Sequence, residues 1–120
     1  STLEELKDTK KIEINQFCKT TIISGFNSSA LGTVYKYESE TEDQTNLSGA
    51  KDRGIDLPLK CSADDGETWE WKIHTLAQIK KVFDDGVDYK MAQLIKCSEL
   101  KEKLNKKDIT ADEINLIEWV

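Results

Sequence analysis

Between Thr75 and about residue 105 the chain repeats apolar side chains at helical spacing: Leu76, Ile79, Val82, Phe83, Val87, Met91, Leu94, Ile95, Leu100 and Leu104. That pattern predicts one long helix, because residues three, four and seven apart share a helix face. Thr75-Leu76-Ala77-Gln78 supplies its start, a capping box in which hydroxyl and amide reciprocally satisfy free backbone N–H groups. In a chain of 120 residues, a helix of this length takes about a quarter of the sequence, so the rest must be built around it. Gly86 interrupts the stripe at a cost of about 1 kcal/mol relative to Ala, which predicts a kink or a close approach there.

A second helix is predicted over residues 2–23. Leu3, Leu6, Ile14, Phe17, Cys18 and Thr21 form its stripe, broken at Lys10; Thr2 with Glu5 is its capping box, and Ser24-Gly25 its stop. Residues 25–41 read as irregular or briefly extended, with Val34, Tyr35 and Tyr37 suited to a short strand. Ser39 with Glu42 suggests a further capping box, opening a short helix from about Glu40 to Ala50. A β-hairpin is predicted over 57–73, because two β-rich runs flank Asp65-Gly66. Alternation puts Trp69, Trp71 and Ile73 on one face, with Leu57, Leu59 and Cys61 matching them across the hairpin, and burial of both indoles beneath a helix is the simplest expectation. Pro58 marks that strand as an edge. Thr110 with Glu113 starts a terminal helix over 110–119. The expected architecture is α+β and mainly helical: one domain over 1–120, its N-terminal and long C-terminal helices packed with a hairpin and a short helix.

Composition excludes several functions. The net charge of -6 is the wrong sign for a phosphate-binding surface, so no nucleic acid is expected, nor an anionic membrane surface. No run of about 18 apolar residues is present to span a bilayer. Cys18, Cys61 and Cys97 are odd in number and widely spaced, which predicts reduced thiols. Adding His74 does not give zinc spacing, since no two cysteines lie close together. Ser1 in place of Met suggests a domain cut from a longer protein.

Chemistry-bearing motifs are sparse. His74, the single histidine, has no nucleophile-elbow partner and reads as structural or capping. Asp64-Asp65-Gly66-Glu67 lacks the alternation of a calcium loop, and Asp84-Asp85-Gly86 reads as a solvated helix face. No phosphate-loop or dinucleotide fingerprint occurs, so no cofactor is expected. The stretch from Gly25 to Leu47 is too specific for a spacer. Asp43, Gln44 and Asn46 are predicted to tie down the loop Gly25–Gly32, with Leu47 anchoring their helix; Phe26, Ala30 and Leu31 would plug into the core. Gly25, Phe26, Ser28, Leu31, Gly32, Asp43, Gln44, Asn46 and Leu47 together form the expected structural clasp.

The same residues carry a family resemblance. Gly25-Phe26-x-Ser28-x-Ala30-Leu31-Gly32, Tyr37-x-Ser39 and Asp43-Gln44-x-Asn46-Leu47-x-Gly49 resemble a motif of phage-encoded tail fibre and tail-fibre-assembly proteins. These carry a small C-terminal domain of unknown function. The likeness continues through Trp71, His74-Thr75-x-x-Gln78, Asp85-Gly86 and Leu100-Lys101, over roughly residues 12–104; the last helix lies outside it. What the resemblance implies is a non-enzymatic phage or prophage protein, a fibre component or a helper in fibre assembly. It would act through protein–protein contact in the bacterial cytoplasm during assembly, or in the virion tail. It implies phage tail or fibre proteins as partners, homo-oligomers as a further expectation, and no catalytic residues. Apolar helix surface at Leu3, Leu6, Trp119 and Val120 would make the contacts. Two rivals remain: a module binding host-surface glycan through Trp69 or Trp71, and a cell-wall hydrolase using paired carboxylates.

Overall fold

The computed structural model describes residues 2–119. Its elements are α1 (Leu3–Ile23), β1 (Phe26–Ser28), β2 (Tyr35–Tyr37), α2 (Thr41–Arg53), β3 (Leu57–Cys61), β4 (Glu70–His74), α3 (Leu76–Leu104) and α4 (Ala111–Asn115). The architecture is α+β and mainly helical, with two small antiparallel hairpins. The chain forms two compact units, one taking the sequence up to Thr21 and from Met91 onward, the other taking Ile22–Lys90.

In the first unit, Ile14 of α1, Leu100 and Leu104 of α3, and Ile109, Ile114 and Ile117 of the C-terminal segment make one buried cluster, with Leu6 and Trp119 against it. The predicted capping box at Thr110/Glu113 is present in both halves, and at Thr2/Glu5 the hydroxyl accepts from Glu5 N at 3.2 Å. The terminal helix is shorter than expected. It ends at Asn115, and residues 116–119 leave the helix, which lets Ile117 enter the core while its carbonyl accepts a hydrogen bond from Lys10 Nζ at 3.1 Å. Trp119 stacks on Phe17 at 6.5 Å between ring centres, with Lys96 Nζ 4.7 Å over its ring. The expectation of three reduced thiols is overturned here. Cys18 and Cys97 form a disulfide that joins α1 to α3, and Cys61 alone is free.

In the second unit, Phe26, Tyr37, Cys61 and Val82 form the buried centre. Ala30, Leu31, Tyr35, Leu47, Leu59 and Tyr89 pack around it. The stretch expected to be irregular or briefly extended contributes a hairpin of its own: β2 forms where a short strand was expected and pairs with β1 in the register Phe26↔Tyr37, Asn27↔Lys36 and Ser28↔Tyr35. Three-residue strands leave no alternation long enough to detect, which is why the sequence concealed β1. Lys36 and Ser62 exchange backbone hydrogen bonds at 2.8 and 2.9 Å, tying this hairpin to the end of β3.

The second hairpin forms at the expected place with a different facing. Its register is Leu57↔His74, Pro58↔Ile73, Leu59↔Lys72, Lys60↔Trp71 and Cys61↔Glu70. Paired residues share a face, so Leu57, Leu59 and Cys61 lie with His74, Lys72 and Glu70 rather than with Trp71 and Ile73. A two-residue turn at Asp65-Gly66 would close a hairpin directly. Instead residues 62–69 make a longer loop, held by Ser62 Oγ accepting from Gly66 N at 2.8 Å and Asp64 accepting from Thr68 N at 2.8 Å and from Thr68 Oγ1 at 2.6 Å. Asp65 and Gly66 both take positive φ inside it.

Helix α2 is longer than expected, and its cap lies one residue later. Glu40 rather than Ser39 is the N-cap, its backbone N–H donating to Asp43 Oδ2 at 3.1 Å, and the helix passes Gly49 to end at Gly54, whose φ of 70° is left-handed.

Candidate functional site

The motif stretch is the natural place to look for a site, and its polar groups turn mostly inward. Ser39 sits just before α2 and is buried. Its Oγ accepts from Gly25 N at 2.8 Å and donates to Ile22 O at 2.6 Å, so one hydroxyl closes the backbone where α1 ends and β1 begins. Gly25 has a φ of 98°, and a Cβ there would meet Tyr37 O at 2.9 Å. Both facts require glycine.

At the other end of β1, Ser28 Oγ donates to Asp85 Oδ2 at 2.6 Å and accepts from Ala30 N at 3.3 Å. Lys81 Nζ holds the second Asp85 oxygen at 2.9 Å, one helical turn away. Burial pushes the Asp85 carboxyl up, while the Ser28 and Lys81 hydrogen bonds outweigh it and leave the group below the usual carboxylate range. Asp85 is therefore not part of a solvated face. It anchors the first hairpin to α3.

The three α2 residues expected to hold this loop are placed differently from one another. Asp43 caps its own helix. Gln44 reaches the loop at one remove: its Nε2 donates to Ser39 O at 2.7 Å, and its Oε1 accepts from Lys90 Nζ at 3.3 Å. Asn46 is exposed. Helical geometry explains the division, because Asp43 at the third helical position faces the free N–H groups of its own first turn. Phe26 and Leu47 stand in and against the core with Ala30 and Leu31, and Gly32 closes the intervening turn with a φ of 96°. The groups that bond Gly25 and Ser28 directly are thus Ser39 and Asp85, neither of them among the expected clasp residues. Ser39 carried a signal, since it belongs to the motif; Asp85 lies 57 residues from its partner and had none beyond Asp85-Gly86.

His74 is fully buried at the end of β4. Its Nδ1 lies 2.7 Å from Lys72 O, a group that can only accept, so Nδ1 carries the proton. The bare Nε2 then accepts from Tyr37 Oη at 2.8 Å. Burial holds the imidazole below its usual range and pushes the Tyr37 phenol upward. A histidine fixed in this way joins the two hairpins and has no free nitrogen for catalysis.

Two surface features border the motif and the second hairpin. A hollow of about 310 Å³ is lined by Glu38, Glu40, Glu42, Asp43 and Trp69 among others. Burial, followed by neighbouring Glu38 and Glu40, raises the Asp43 carboxyl there against the pull of its bond to Glu40 N. The second feature is the outer face of β3 and β4. Trp71 is 69% exposed and Ile73 68%, which overturns the expectation that both indoles are buried. Trp69 is half-buried, with Lys60 Nζ 5.7 Å over its ring. Among the described residues no group of three His, Cys, Asp or Glu is placed to hold a metal, no buried side-chain polar atom lacks a partner, and no helix is long and apolar enough to cross a membrane.

Fold and site together define a small, mainly helical α+β module whose polar motif residues secure backbone and whose largest outward aromatic lies on a hairpin. The family model described as domain of unknown function, DUF4376, matches residues 5–118, and the chain belongs to that family. No curated protein and no solved structure matches it.

Proposed function

We propose that this chain is a tail-associated protein of a phage or prophage, a tail fibre component or tail fibre assembly factor. It acts through protein–protein interaction rather than catalysis, with tail or fibre proteins as partners. Its place is the bacterial cytoplasm during assembly and the tail of the virion. The motif resemblance over residues 25–49 supports the phage assignment. The observation that carries the mode of action is the outward face of the second hairpin, where Trp71 and Ile73 stand side by side in solvent. Exposed Trp is enriched among the residues that dominate protein–protein affinity, and keeping two large apolar groups in water has no value for stability. Of the helix ends expected to make the contacts, Leu3 is exposed, Leu6 and Trp119 pack against the core of their own unit, and Val120 lies outside the described residues.

The test is affinity capture with the tagged chain from an induced prophage lysate, alongside mass spectrometry of purified particles. Recovery of a tail fibre protein with the wild-type chain and its loss with Trp71→Asp is expected. Fibre protein absent from the capture and the chain absent from particles would sink the proposal.

The exposure of Trp71 also favours a second reading, a module that stacks host-surface sugar on the indole. Its carboxylate neighbour in sequence, Glu70, faces the other side of the strand, which leaves the sugar hydroxyls without that partner. Binding on a glycan array that disappears with Trp71→Ala would establish it over the first.

A further inference from the structure

Strand β4 pairs with β3 on one side, and among the described residues no strand pairs with its other edge. Such an edge presents a row of backbone donors and acceptors ready for another strand. Its side chains are patterned for a particular one. Trp71 and Ile73 stand on the outer face, and Glu70 and Lys72 flank Trp71 on the opposite face, their charged ends 3.6 Å apart.

We infer that β4 pairs antiparallel with β4 of a second copy of this chain, about a two-fold axis through Trp71. In that register Glu70 stands opposite Lys72 of the partner subunit and Lys72 opposite Glu70 of the partner subunit, each pair on the same face. Trp71 meets Trp71 of the partner subunit, and Ile73 meets Trp69 of the partner subunit, so the outer face becomes a continuous apolar strip. Charge selects this register over its neighbours. Centring the axis on Glu70 sets Glu70 against itself, and centring it on Lys72 sets Lys72 against itself; like charges directly opposite are destabilising. Registers shifted by one residue would pair the outer face with the inner one. A lone lysine on an edge strand keeps other strands away, but one placed two residues from a glutamate is complementary to its own two-fold image. The contact is isologous and closes at two copies.

This inference rests on the reading of the chain as a protein–protein interaction module, and it names the first partner as the chain itself. The test is sedimentation equilibrium of the purified 120-residue chain over a range of concentration and salt, with circular dichroism to verify that each variant is folded. The wild type is expected to be a dimer that weakens as salt rises. Glu70→Lys and Lys72→Glu, each placing like charges opposite one another, are expected to raise the dissociation constant at least tenfold. The double variant Glu70→Lys/Lys72→Glu restores the dimer. A chain monomeric at every concentration, a trimer, single reversals that leave the dimer unchanged, or a folded double variant that stays monomeric would each overturn the inference. Because no phage protein is present, those outcomes leave the tail proposal to be decided by the capture experiment alone.

Discussion

The ring of Phe26 lies against the backbone of Gly86, so that a Cβ on Gly86 would stand 2.9 Å from Phe26 Cζ and 3.1 Å from Cε1. The close approach expected from a glycine inside a helical stripe is therefore made by the first hairpin onto α3. Gly86→Ala sets two effects against each other. Helix propensity gains about 1 kcal/mol, and overpacking a buried ring costs about 1–3 kcal/mol. Phe26 is buried and stacked on Tyr37 at 5.8 Å, so it cannot swing away, and a net loss of about 1 kcal/mol is expected in urea unfolding. Combining Gly86→Ala with Phe26→Leu should remove that penalty; an unchanged penalty in the double variant would show that the ring is not its source.

Ser39 satisfies two backbone groups with one hydroxyl, at Gly25 N and Ile22 O. Ser39→Ala takes this partner from the buried Gly25 N–H, at about 1–3 kcal/mol, and from the half-buried Ile22 carbonyl at less, so a loss of about 2 kcal/mol is expected. Gln44→Ala removes its bond to Ser39 O and a long, exposed one from Lys90 Nζ, and should cost about 1 kcal/mol. Asn46→Ala, at an exposed position, should fall within about 0.5 kcal/mol of wild type. Chemical denaturation ranks the three, and an Asn46 effect as large as that of Ser39 would contradict this account of the motif.

What the sequence revealed and what it hid divide along sequence distance. Helices expected over 2–23 and 75–105 are found at Leu3–Ile23 and Leu76–Leu104, because apolar spacing and capping boxes are local signals that agree with each other. Closure of the motif was legible in outline and misassigned in detail. Asp43, Gln44 and Asn46 share one turn and invite a common role, yet the direct bonds come from Ser39 and Asp85, whose partners lie 14 and 57 residues away. The facing of Trp71 was hidden for a related reason: alternation states which residues share a side and not which side meets the core. The Cys18–Cys97 bond was hidden because spacing alone does not reveal which cysteines meet.

His74 is buried in its neutral form, so acid should weaken the fold before any carboxylate matters. Burial holds its folded pKa below the unfolded value of 6.5. Between those two values the unfolded chain binds the proton and the folded chain does not, so stability is full above about 6.5 and falls as pH drops through the folded value. Asp64, held to about 2 by its Thr68 and Ser62 hydrogen bonds, contributes a separate loss only as pH falls from 3.8 toward 2. Urea midpoints measured from pH 8 to pH 5 should decline, with much less decline in His74→Gln. A flat wild-type profile over that range would mean that the imidazole takes up its proton in place.

The Cys18–Cys97 disulfide closes a loop with a sequence separation of 79. Cross-linking a loop of that length stabilises by roughly 4 kcal/mol when the effect is assigned to lost chain entropy in the unfolded state. Reducing agent should therefore lower the urea midpoint of the wild type and have no effect on a Cys18→Ser/Cys97→Ser chain. Cys61 should stay unlabelled by thiol reagents until unfolding, since it is buried and burial raises its thiol pKa. The bond also bears on where the protein works, because disulfides persist in oxidising surroundings and are rare in cytosol. If the chain acts as an assembly factor inside the bacterium, material trapped with alkylating reagent at lysis carries reduced Cys18 and Cys97. If it is carried on the released particle, peptide mapping of purified virions finds the two linked. Linked cysteines in the trapped cytoplasmic material would contradict an assembly role in that compartment.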